Sequence, residues 1–345
     1  MSSGGHLFDE GLYGCIFRPS LQCKDRRKQP SPSTDPIHPP LSKLILKEDA
    51  EIEMKISTII QTIPSWNNYF AVSESICEPA KKQNDPELLE CPSVQRYSLS
   101  DFRILSMTYH GVPLTTYHFK LASFNFMEFA QHLIEAGALL NLYGIVHRDI
   151  HAGNILVDSY SVPRIIDFNL SIQTHEKVSS ADLRHQHNTI TAHEPPDSTL
   201  INAVTQDYSY DEVIQKIVFE KPVIKKLQAI FQFSSDEMYR SLLRFYQKNT
   251  FLKEKDATEW FHQHWRTIDS WAIGVNLSLL FLKFSGMSAF PHHSFSTLLP
   301  VLRQMCAISP VDRIDCVQAL YQLDPQHPII RKEGKQWLDS VGYGI

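Results

Sequence analysis

The feature that most constrains this chain is the stretch of residues 143–157, "YGIVHRDIHAGNILV". It places His147, Arg148 and Asp149 side by side, and Asn154 five residues after the aspartate, inside an otherwise apolar run. Asp and Arg are almost never fully buried unless they are paired. An exposed turn between two elements would explain the pattern. A loop whose polar groups carry out chemistry would also explain it.

A second motif follows ten residues after Asn154, where the chain runs "RIIDFNLS". Asp167 follows two isoleucines there, as a carboxylate does at the end of a buried strand. Phosphoryl transfer from ATP needs mainly positioning and charge neutralisation. One carboxylate orients the attacking hydroxyl and receives its proton, while a second carboxylate and an amide oxygen hold Mg²⁺. Asp149, Asp167 and Asn154 fit these three roles.

Length and charge narrow the class of protein. A chain of 345 residues has room for two domains or one two-lobed unit. Its net charge of −5 provides no basic field for nucleic acid. The longest apolar stretch, residues 271–284, contains Asn276 and Lys283 and predicts a buried core helix rather than a membrane segment. The start of the chain lacks the pattern of a secretory signal.

The cysteines show no paired spacing. Without a secretory signal they are expected to be reduced thiols, and zinc binding is not expected because no C-x-x-C pair occurs. The six are Cys15, Cys23, Cys77, Cys91, Cys306 and Cys316.

The pattern of apolar residues predicts strands first and helices later. Residues 6–19 read as a glycine-containing hairpin, 41–46 and 103–109 as strands, and 24–40 as a loop rich in proline, serine and charge. A helix is predicted from about Glu48 to before Pro64, because isoleucines recur at helical spacing at positions 52, 56, 59, 60 and 63. From residue 124 onward the chain reads as mostly helical, with residues 313–323 as the last helix.

The spacing H-R-D-x-x-x-x-N followed by D-F-x resembles that of the protein kinase superfamily. The resemblance extends from about residue 8 to residue 322. It implies an α+β, two-lobed protein-kinase-like fold, with a small β-rich N-lobe over residues 1–110 and a larger helical C-lobe over residues 111–345. It also implies ATP with Mg²⁺, or alternatively Mn²⁺, between the lobes, and protein substrates. Asp149 would be catalytic, and Asn154 and Asp167 would bind the metal.

The resemblance also assigns nucleotide-binding residues in the first strands. Gly11 and Gly14 match the second and third glycines of the kinase glycine-rich hairpin, and Asp9 stands in place of the first. Ile16 follows them in the next strand and is assigned to the nucleotide site. Met107 is placed as the gatekeeper.

The two residues that follow, Thr108 and Tyr109, continue the strand that contacts adenine. Tyr109 is assigned to the nucleotide site with Met107.

Lys43 is predicted to neutralise the α- and β-phosphates. Its competitor is Lys47, which we place where the strand ends. The partner of Lys43 would be Glu53 on the next helix, because Ile56 and Ile60 follow it at helical spacing. Glu51 is the alternative partner.

Two further motifs that resemble those of kinases lie in the predicted helical lobe. "TIDSWAIGV" resembles the kinase D-x-W-x-x-G helix start, whose aspartate, here Asp269, anchors the catalytic-loop backbone. Arg313 is predicted to pair with the end of the activation segment, which we place over residues 171–197. Asp197 is the expected partner and Glu194 the alternative.

Three departures from the family pattern bear on function. His151 stands where serine/threonine kinases carry a catalytic lysine, and its imidazole can still donate a hydrogen bond there. The D-x-H-x-x-N form also resembles aminoglycoside and choline kinases, so a small-molecule kinase is the main alternative and a pseudokinase the lesser one. Asn169 replaces the glycine of D-F-G, and we expect it to adopt left-handed backbone geometry. Residues 198–264 form an insert that is predicted to be helical.

The chain also shares four features with a narrower group: the start "GLYGCIFRPSLQC", the strand "LSKL", the P-P-D ending of the activation segment and the long helical insert. Together they resemble the serine/threonine kinases of large nucleocytoplasmic DNA viruses. That resemblance implies an enzyme in the cytoplasm of infected cells or in virions. The sequence identifies neither the substrate nor the oligomeric state.

Overall fold

The structure is a computed structural model of the chain. It describes residues 5–11, 14–25, 27, 40–83, 85–121, 123–183, 191–286 and 293–343. Most of the predicted loop at 24–40, the two residues between Gly11 and Gly14, and residues 184–190 of the predicted activation segment lie outside the described residues.

The chain divides into two compact units. The first contains Met1–Val112 and Arg164–Ser171, and the second contains Pro113–Pro163 and Ile172–Ile345. The sequence placed the border at residue 110 and assigned all later residues to the second unit. Arg164–Ser171 joins the first unit because Ile165 exchanges backbone hydrogen bonds of 3.0 Å with Tyr69 and Ala71.

The first unit is built on an antiparallel sheet with the strand order β1-β2-β3-β5-β4 in its described part. The short helix α2 lies in the segment between β4 and β5. The elements are β1 (His6–Gly11), β2 (Gly14–Arg18), β3 (Leu41–Leu46), α1 (Lys47–Ile60), β4 (Ser75–Cys77), α2 (Asp85–Leu89) and β5 (Phe102–Met107).

Strand β3 is buried on both faces, which explains its nearly continuous apolar sequence. Successive side chains point to opposite faces of a strand. Leu44 accordingly packs into the cluster that contains Cys15 and Phe17, whereas Ile45 packs with Ala50 of α1. Lys43 shares the face of Ile45, so it points towards α1.

Helix α1 follows β3 directly, and this corrects two details. Lys47 is the first residue of the helix rather than the end of the strand. Ile56 and Ile60 are buried, but Ile52 is 47% exposed and does not belong to the core face. A helix turns about 100° per residue, so one apolar face includes only part of the isoleucine series.

The prediction that all the cysteines are reduced is wrong for four of them. Within the described residues, Cys15 is bonded to Cys91 and Cys23 to Cys77, at Cα–Cα distances of 6.0 and 5.8 Å. The bonded residues are 76 and 54 positions apart, so no local spacing reveals them. They meet because the sheet and the segment around α2 enclose one apolar cluster. The two free thiols, Cys306 and Cys316, are buried.

The second unit is mainly helical. The remaining strands are short, and β7 pairs with β10. They are β6 (Val112–Pro113), β7 (Ile145–Val146), β8 (Ile155–Val157), β9 (Pro163–Ile165) and β10 (Ile172–Gln173). Val112 of β6 and residues 164–165 of β9 belong to the first unit. The helices are α3 (Phe126–Leu142), α4 (Ser180–Leu183), α5 (Pro196–Thr205), α6 (Tyr210–Phe219), α7 (Pro222–Phe231), α8 (Ser235–Lys248), α9 (Thr250–Glu254), α10 (Ala257–His264), α11 (Ile268–Ser285), α12 (His293–Met305), α13 (Cys316–Leu323) and α14 (Lys335–Ser340).

Helices α3 and α11 provide the core of the second unit. Asn125 caps α3 by accepting hydrogen bonds from the backbone N–H groups of Met127 and Glu128. Aromatic rings pack at the ends of the two helices, with centroid distances of 5.2 Å for Phe119–Phe284 and 5.4 Å for Phe124–Phe284.

Two sequence expectations about these helices have clear outcomes. The predicted core helix at 271–284 lies within α11, whereas α13 is not the last helix, because α14 follows it. None of the helices in the described ranges combines the length and apolar composition needed to span a bilayer.

Candidate active site

The first polar centre lies in the first unit and is formed by Lys43, Glu53 and Asp167. The Lys43 Nζ donates hydrogen bonds to Glu53 Oε2 at 2.8 Å and to Asp167 Oδ1 at 2.6 Å. Glu53 is only 4% exposed, and its other oxygen accepts a hydrogen bond from Ser73 Oγ at 2.9 Å. Lys47 lies 3.9 Å from Glu51, and both of these side chains are more than half exposed.

Burial and charge act in opposite directions on Lys43. Burial lowers its pKa, but the negative charges and hydrogen bonds of Glu53 and Asp167 outweigh burial and raise the pKa above its ordinary value. The lysine is therefore cationic at neutral pH. A fixed buried cation of this kind is suited to anionic phosphate oxygens.

The turn that carries Asp167 differs from the sequence expectation. The left-handed residue is Asp167 itself, with φ 66° and ψ 68°. Asn169 lies inside a 3₁₀ turn from Phe168 to Leu170, so the expected left-handed geometry at Asn169 is wrong. The ring of Phe168 packs edge-on against Phe70 at 5.9 Å, which fixes the turn within the first unit. In the described part of the chain, neither polar side-chain atom of Asn169 has a hydrogen-bond partner.

The residues assigned to the nucleotide lie on the same sheet. Gly11 pairs with Gly14 at the end of the β1–β2 hairpin, and Ile16 pairs with Lys43 of β3. A side chain at Gly14 would collide with the carbonyl oxygen of Leu44. The hairpin therefore needs glycine there for packing, whatever ligand it binds.

The assigned adenine strand is β5 with the residues that follow it. Met107 ends β5 and pairs with Leu41 of β3. The ring of Tyr109 lies 5.0 Å beneath the guanidinium of Arg18. Met107 therefore lies beside β3, on which Lys43 lies, and Tyr109 lies beside the end of β2.

The second polar centre lies in the second unit around Asp149. The amide nitrogen of Asn154 donates to the backbone oxygen of Asp149 at 3.0 Å and to its Oδ2 at 3.2 Å. His193 Nε2 lies 2.9 Å from Asp149 Oδ1. His151 Nε2 is 3.9 Å from Oδ2, and its Nδ1 accepts a hydrogen bond from the Gly153 N–H. Two donors, Asn154 of the loop and His193, thus hold the carboxylate of Asp149, and the Nε2 of His151 lies near it at a distance too long for a hydrogen bond.

These contacts determine the charge of Asp149. Burial raises its pKa, but the hydrogen bond from His193 and the positive potential of His193, His151 and His147 lower the pKa below its ordinary value. Asp149 is therefore an ionised acceptor at neutral pH. A carboxylate in this state can accept a hydrogen bond from an incoming hydroxyl group.

The backbone of this loop is anchored by Asp269 at the start of α11. Its two oxygens accept hydrogen bonds from the N–H groups of His147 and Arg148 at 2.7 and 2.9 Å. These bonds hold Arg148 in left-handed geometry at φ 71°. Asn276 donates to the carbonyl of Ile150 at 3.0 Å from the same helix. The side-chain and backbone anchors together fix the direction of Asp149.

The end of the predicted activation segment is held by a buried ion pair. Arg313 donates to Asp197 Oδ1 at 2.8 Å, and both side chains are fully buried. Trp260 Nε1 donates to the other oxygen of Asp197 at 3.0 Å. Glu194, the alternative partner, accepts from Asn202 at 2.9 Å instead.

The insert at residues 198–264 is helical throughout its main elements, from α5 to α10. It supplies Lys221, which is 1% exposed and donates to the carbonyl of Glu194 at 2.9 Å and to Thr199 Oγ1 at 3.1 Å. Burial lowers the pKa of Lys221 to about 8, against the raising influence of Glu194 and Asp197. The insert is therefore attached to the end of the activation segment.

Sequence reasoning missed His193 and Lys221. His193 directly precedes Glu194 in "AHEPPDS", a stretch in which only the acidic residues Glu194 and Asp197 are predicted to make a contact. Lys221 lies in a helical segment where an exposed lysine is the ordinary expectation. The one signal available for His193 was a histidine next to that acidic motif.

The two side chains assigned to a metal ion suit a hard cation individually. Mg²⁺ prefers oxygen ligands. Lys43 occupies Oδ1 of Asp167, and the Asn154 hydrogen bonds use its amide nitrogen. Within the described residues, Asp167 Oδ2 and Asn154 Oδ1 make no hydrogen bond, so one oxygen of each remains for a metal.

The part of the chain that carries these motifs is similar in sequence to a known protein family. Residues 99–211 match the family model of protein tyrosine and serine/threonine kinase. The match covers about a third of the chain, including the Asp149 loop, Asp167 and His193. It supports a relationship to the protein kinase superfamily and a phosphotransferase activity, and the sheet-rich first unit and helical second unit are consistent with a kinase-like fold. No curated protein sequence matches the chain.

Proposed function

We propose that this protein is a serine/threonine protein kinase that transfers the γ-phosphate of ATP to protein hydroxyl groups. The observation that carries the proposal is the ionised Asp149, directed by Asn154 and His193 inside a loop that matches the kinase family model. Serine and threonine are favoured as acceptors because the loop lacks the A-A-R or R-A-A insert typical of tyrosine kinases.

Each residue has a defined role in this proposal. Asp149 orients the acceptor hydroxyl and receives its proton. Lys43, held by Glu53, contacts the phosphate oxygens. Asn154 and Asp167 would hold Mg²⁺, which would neutralise charge on the phosphates.

The closer relationship to kinases of large nucleocytoplasmic DNA viruses is also a proposal. It is supported by the "GLYGCIFRPSLQC" start, the P-P-D ending of the activation segment and the long helical insert. A cytoplasmic location follows from that relationship. The two disulfides weigh against a reducing compartment, because disulfides are rare in cytosolic proteins. Thiol titration of the protein taken directly from its cell of origin distinguishes reduced cysteines, as expected in the cytoplasm, from the two disulfides.

The test is a transfer assay with γ-labelled ATP and Mg²⁺, using a panel of proteins beside aminoglycosides and choline. We expect phosphoserine or phosphothreonine on protein. Asp149→Asn and Asp167→Asn should each lower the rate by orders of magnitude while the thermal unfolding transition remains cooperative. Lys332→Met, at a surface position, is the matched control and should transfer at the normal rate.

The small-molecule alternative rests on His151, which stands near Asp149 as the D-x-H pattern of those enzymes would place it. Labelling of a small alcohol with none on any protein would move the enzyme to that class. Transfer at an unchanged rate by folded Asp167→Asn would contradict the metal assignment in either class.

A further inference from the structure

His193, a residue without a predicted role, makes a closer contact with Asp149 than Asn154 does. Its Nε2 lies 2.9 Å from Asp149 Oδ1, and both side chains are about four-fifths buried. An ionised carboxylate only accepts hydrogen bonds. The Nε2 of His193 must therefore carry the hydrogen and act as the donor.

The two carboxylate oxygens of Asp149 accept hydrogen bonds from two different residues. Oδ1 is bound by His193, and Oδ2 is bound by the amide of Asn154 at 3.2 Å. Both oxygens are thus tied to donors on opposite sides of the carboxylate. The side chain can rotate only if at least one of these hydrogen bonds breaks.

The backbone on each side of His193 is fixed as well. The carbonyl of Ala192 accepts a hydrogen bond from Trp271 Nε1 of α11 at 3.1 Å. The carbonyl of Glu194 accepts one from the buried Lys221 at 2.9 Å. These anchors come from the helical core and from the insert, so His193 is held by two separate parts of the second unit.

We propose that His193 is a positioning residue that fixes the carboxylate of Asp149 in the rotamer that receives the acceptor hydroxyl. This inference rests on the proposed kinase function. The insert contributes indirectly, because Lys221 anchors the segment that carries His193.

The proposal predicts a selective loss of catalytic rate. Without the donor, Asp149 can rotate away from Asn154, and displacing a catalytic group by about 1 Å can cost about 100-fold in rate. We expect His193→Leu to lower kcat for protein phosphorylation by about 10- to 100-fold. The KM for ATP should stay close to the wild-type value, because His193 acts through Asp149, whose proposed partner is the acceptor hydroxyl and not ATP.

The conservative variant is His193→Gln, since the Gln amide nitrogen can replace Nε2 as the donor. It should recover most of the lost kcat. The matched control is His327→Leu, which removes another mostly buried histidine that pairs with a carboxylate, Glu135, at 3.0 Å. This control should lower the melting temperature but leave kcat unchanged.

Several results would overturn the proposal. These are a normal kcat in His193→Leu, a Gln variant no better than the Leu variant, or a loss of kcat in His327→Leu equal to that in His193→Leu. A wild-type protein that phosphorylates nothing would instead refute the proposed function. In that case the contact is still decided by thermal unfolding of His193→Leu, Asp149→Asn and the double variant. Non-additive melting shifts support the contact, and additive shifts refute it.

Discussion

The buried pair between Arg313 and Asp197 gives the sharpest test of the fold. Arg313 donates to Asp197 at 2.8 Å and to the carbonyl of Ala307 at 3.0 Å, and its guanidinium lies 5.2 Å over the ring of Trp271. Arg313→Met keeps the length of the side chain but removes the charge. Asp197 then stays fully buried with Trp260 as its remaining close donor.

The expected loss of folding stability in Arg313→Met follows because Asp197 is left buried without a cationic partner. Removing one partner of a buried ion pair typically costs ~3–5 kcal/mol, because the other charge is left uncompensated. Whole domains are stable by only about 5–15 kcal/mol. For a unit of this size the loss corresponds to a fall in the melting temperature of about 6 to 20 °C.

The assay is chemical and thermal unfolding of the wild type, Arg313→Met and the double variant Arg313→Met with Asp197→Leu. The double variant should recover much of the loss, because it removes both charges, although Trp260 loses its acceptor. Lys332→Met breaks the exposed contact with Glu333 and serves as the control, with an expected cost of under about 1 kcal/mol. If Arg313→Met costs no more than Lys332→Met, the reasoning about this pair is wrong.

Two comparisons between lysine variants test the centre around Lys43 and the buried contacts of Lys221. Lys43→Met should abolish detectable transfer, because it removes the cation held by two carboxylates, whereas Lys47→Met at an exposed position should retain it; equal rates in a kinase assay would contradict the assignment. The folded-state pKa of Lys221, about 8, lies below its ordinary value of 10.5, so the unfolded state binds more protons between these values. The stability of wild type relative to Lys221→Met should therefore rise between pH 8 and pH 10.5, by up to about 3 kcal/mol. Urea unfolding at several pH values measures this rise, and Lys225→Met, on an exposed turn of α7, should show no such dependence.

The local pattern of the sequence predicted most of the strands and helices and the loop that carries Asp149, but it missed α14 and placed Lys47 in β3 instead of α1. Alternation along β3 identifies Lys43, because only one of its two faces can point to α1. The spacing of Asp149, Asn154 and Asp167 follows from a single loop and the strand after it. Such features depend on neighbours within a few residues, which a sequence displays directly.

The choice of Glu53 over Glu51 as the partner of Lys43 could be made only from the packing of α1 against β3. The two residues are about 200° apart around the helix axis, so only one can face β3. Glu53 is buried against Lys43, whereas Glu51 is more than half exposed. The isoleucine pattern pointed to Glu53, but it could not show which part of α1 meets the sheet.

The two disulfides and the contact of His193 with Asp149 could be found only from the tertiary structure. Cys15 and Cys91 are 76 residues apart, and His193 is 44 residues from Asp149. The buried Lys221 reaches Glu194 across the fold of the insert. Contacts between such distant residues depend on how whole elements pack, and the local order of residues carries no information about that packing. The sequence determined which groups could do the chemistry, and the packing determined which groups hold them in place.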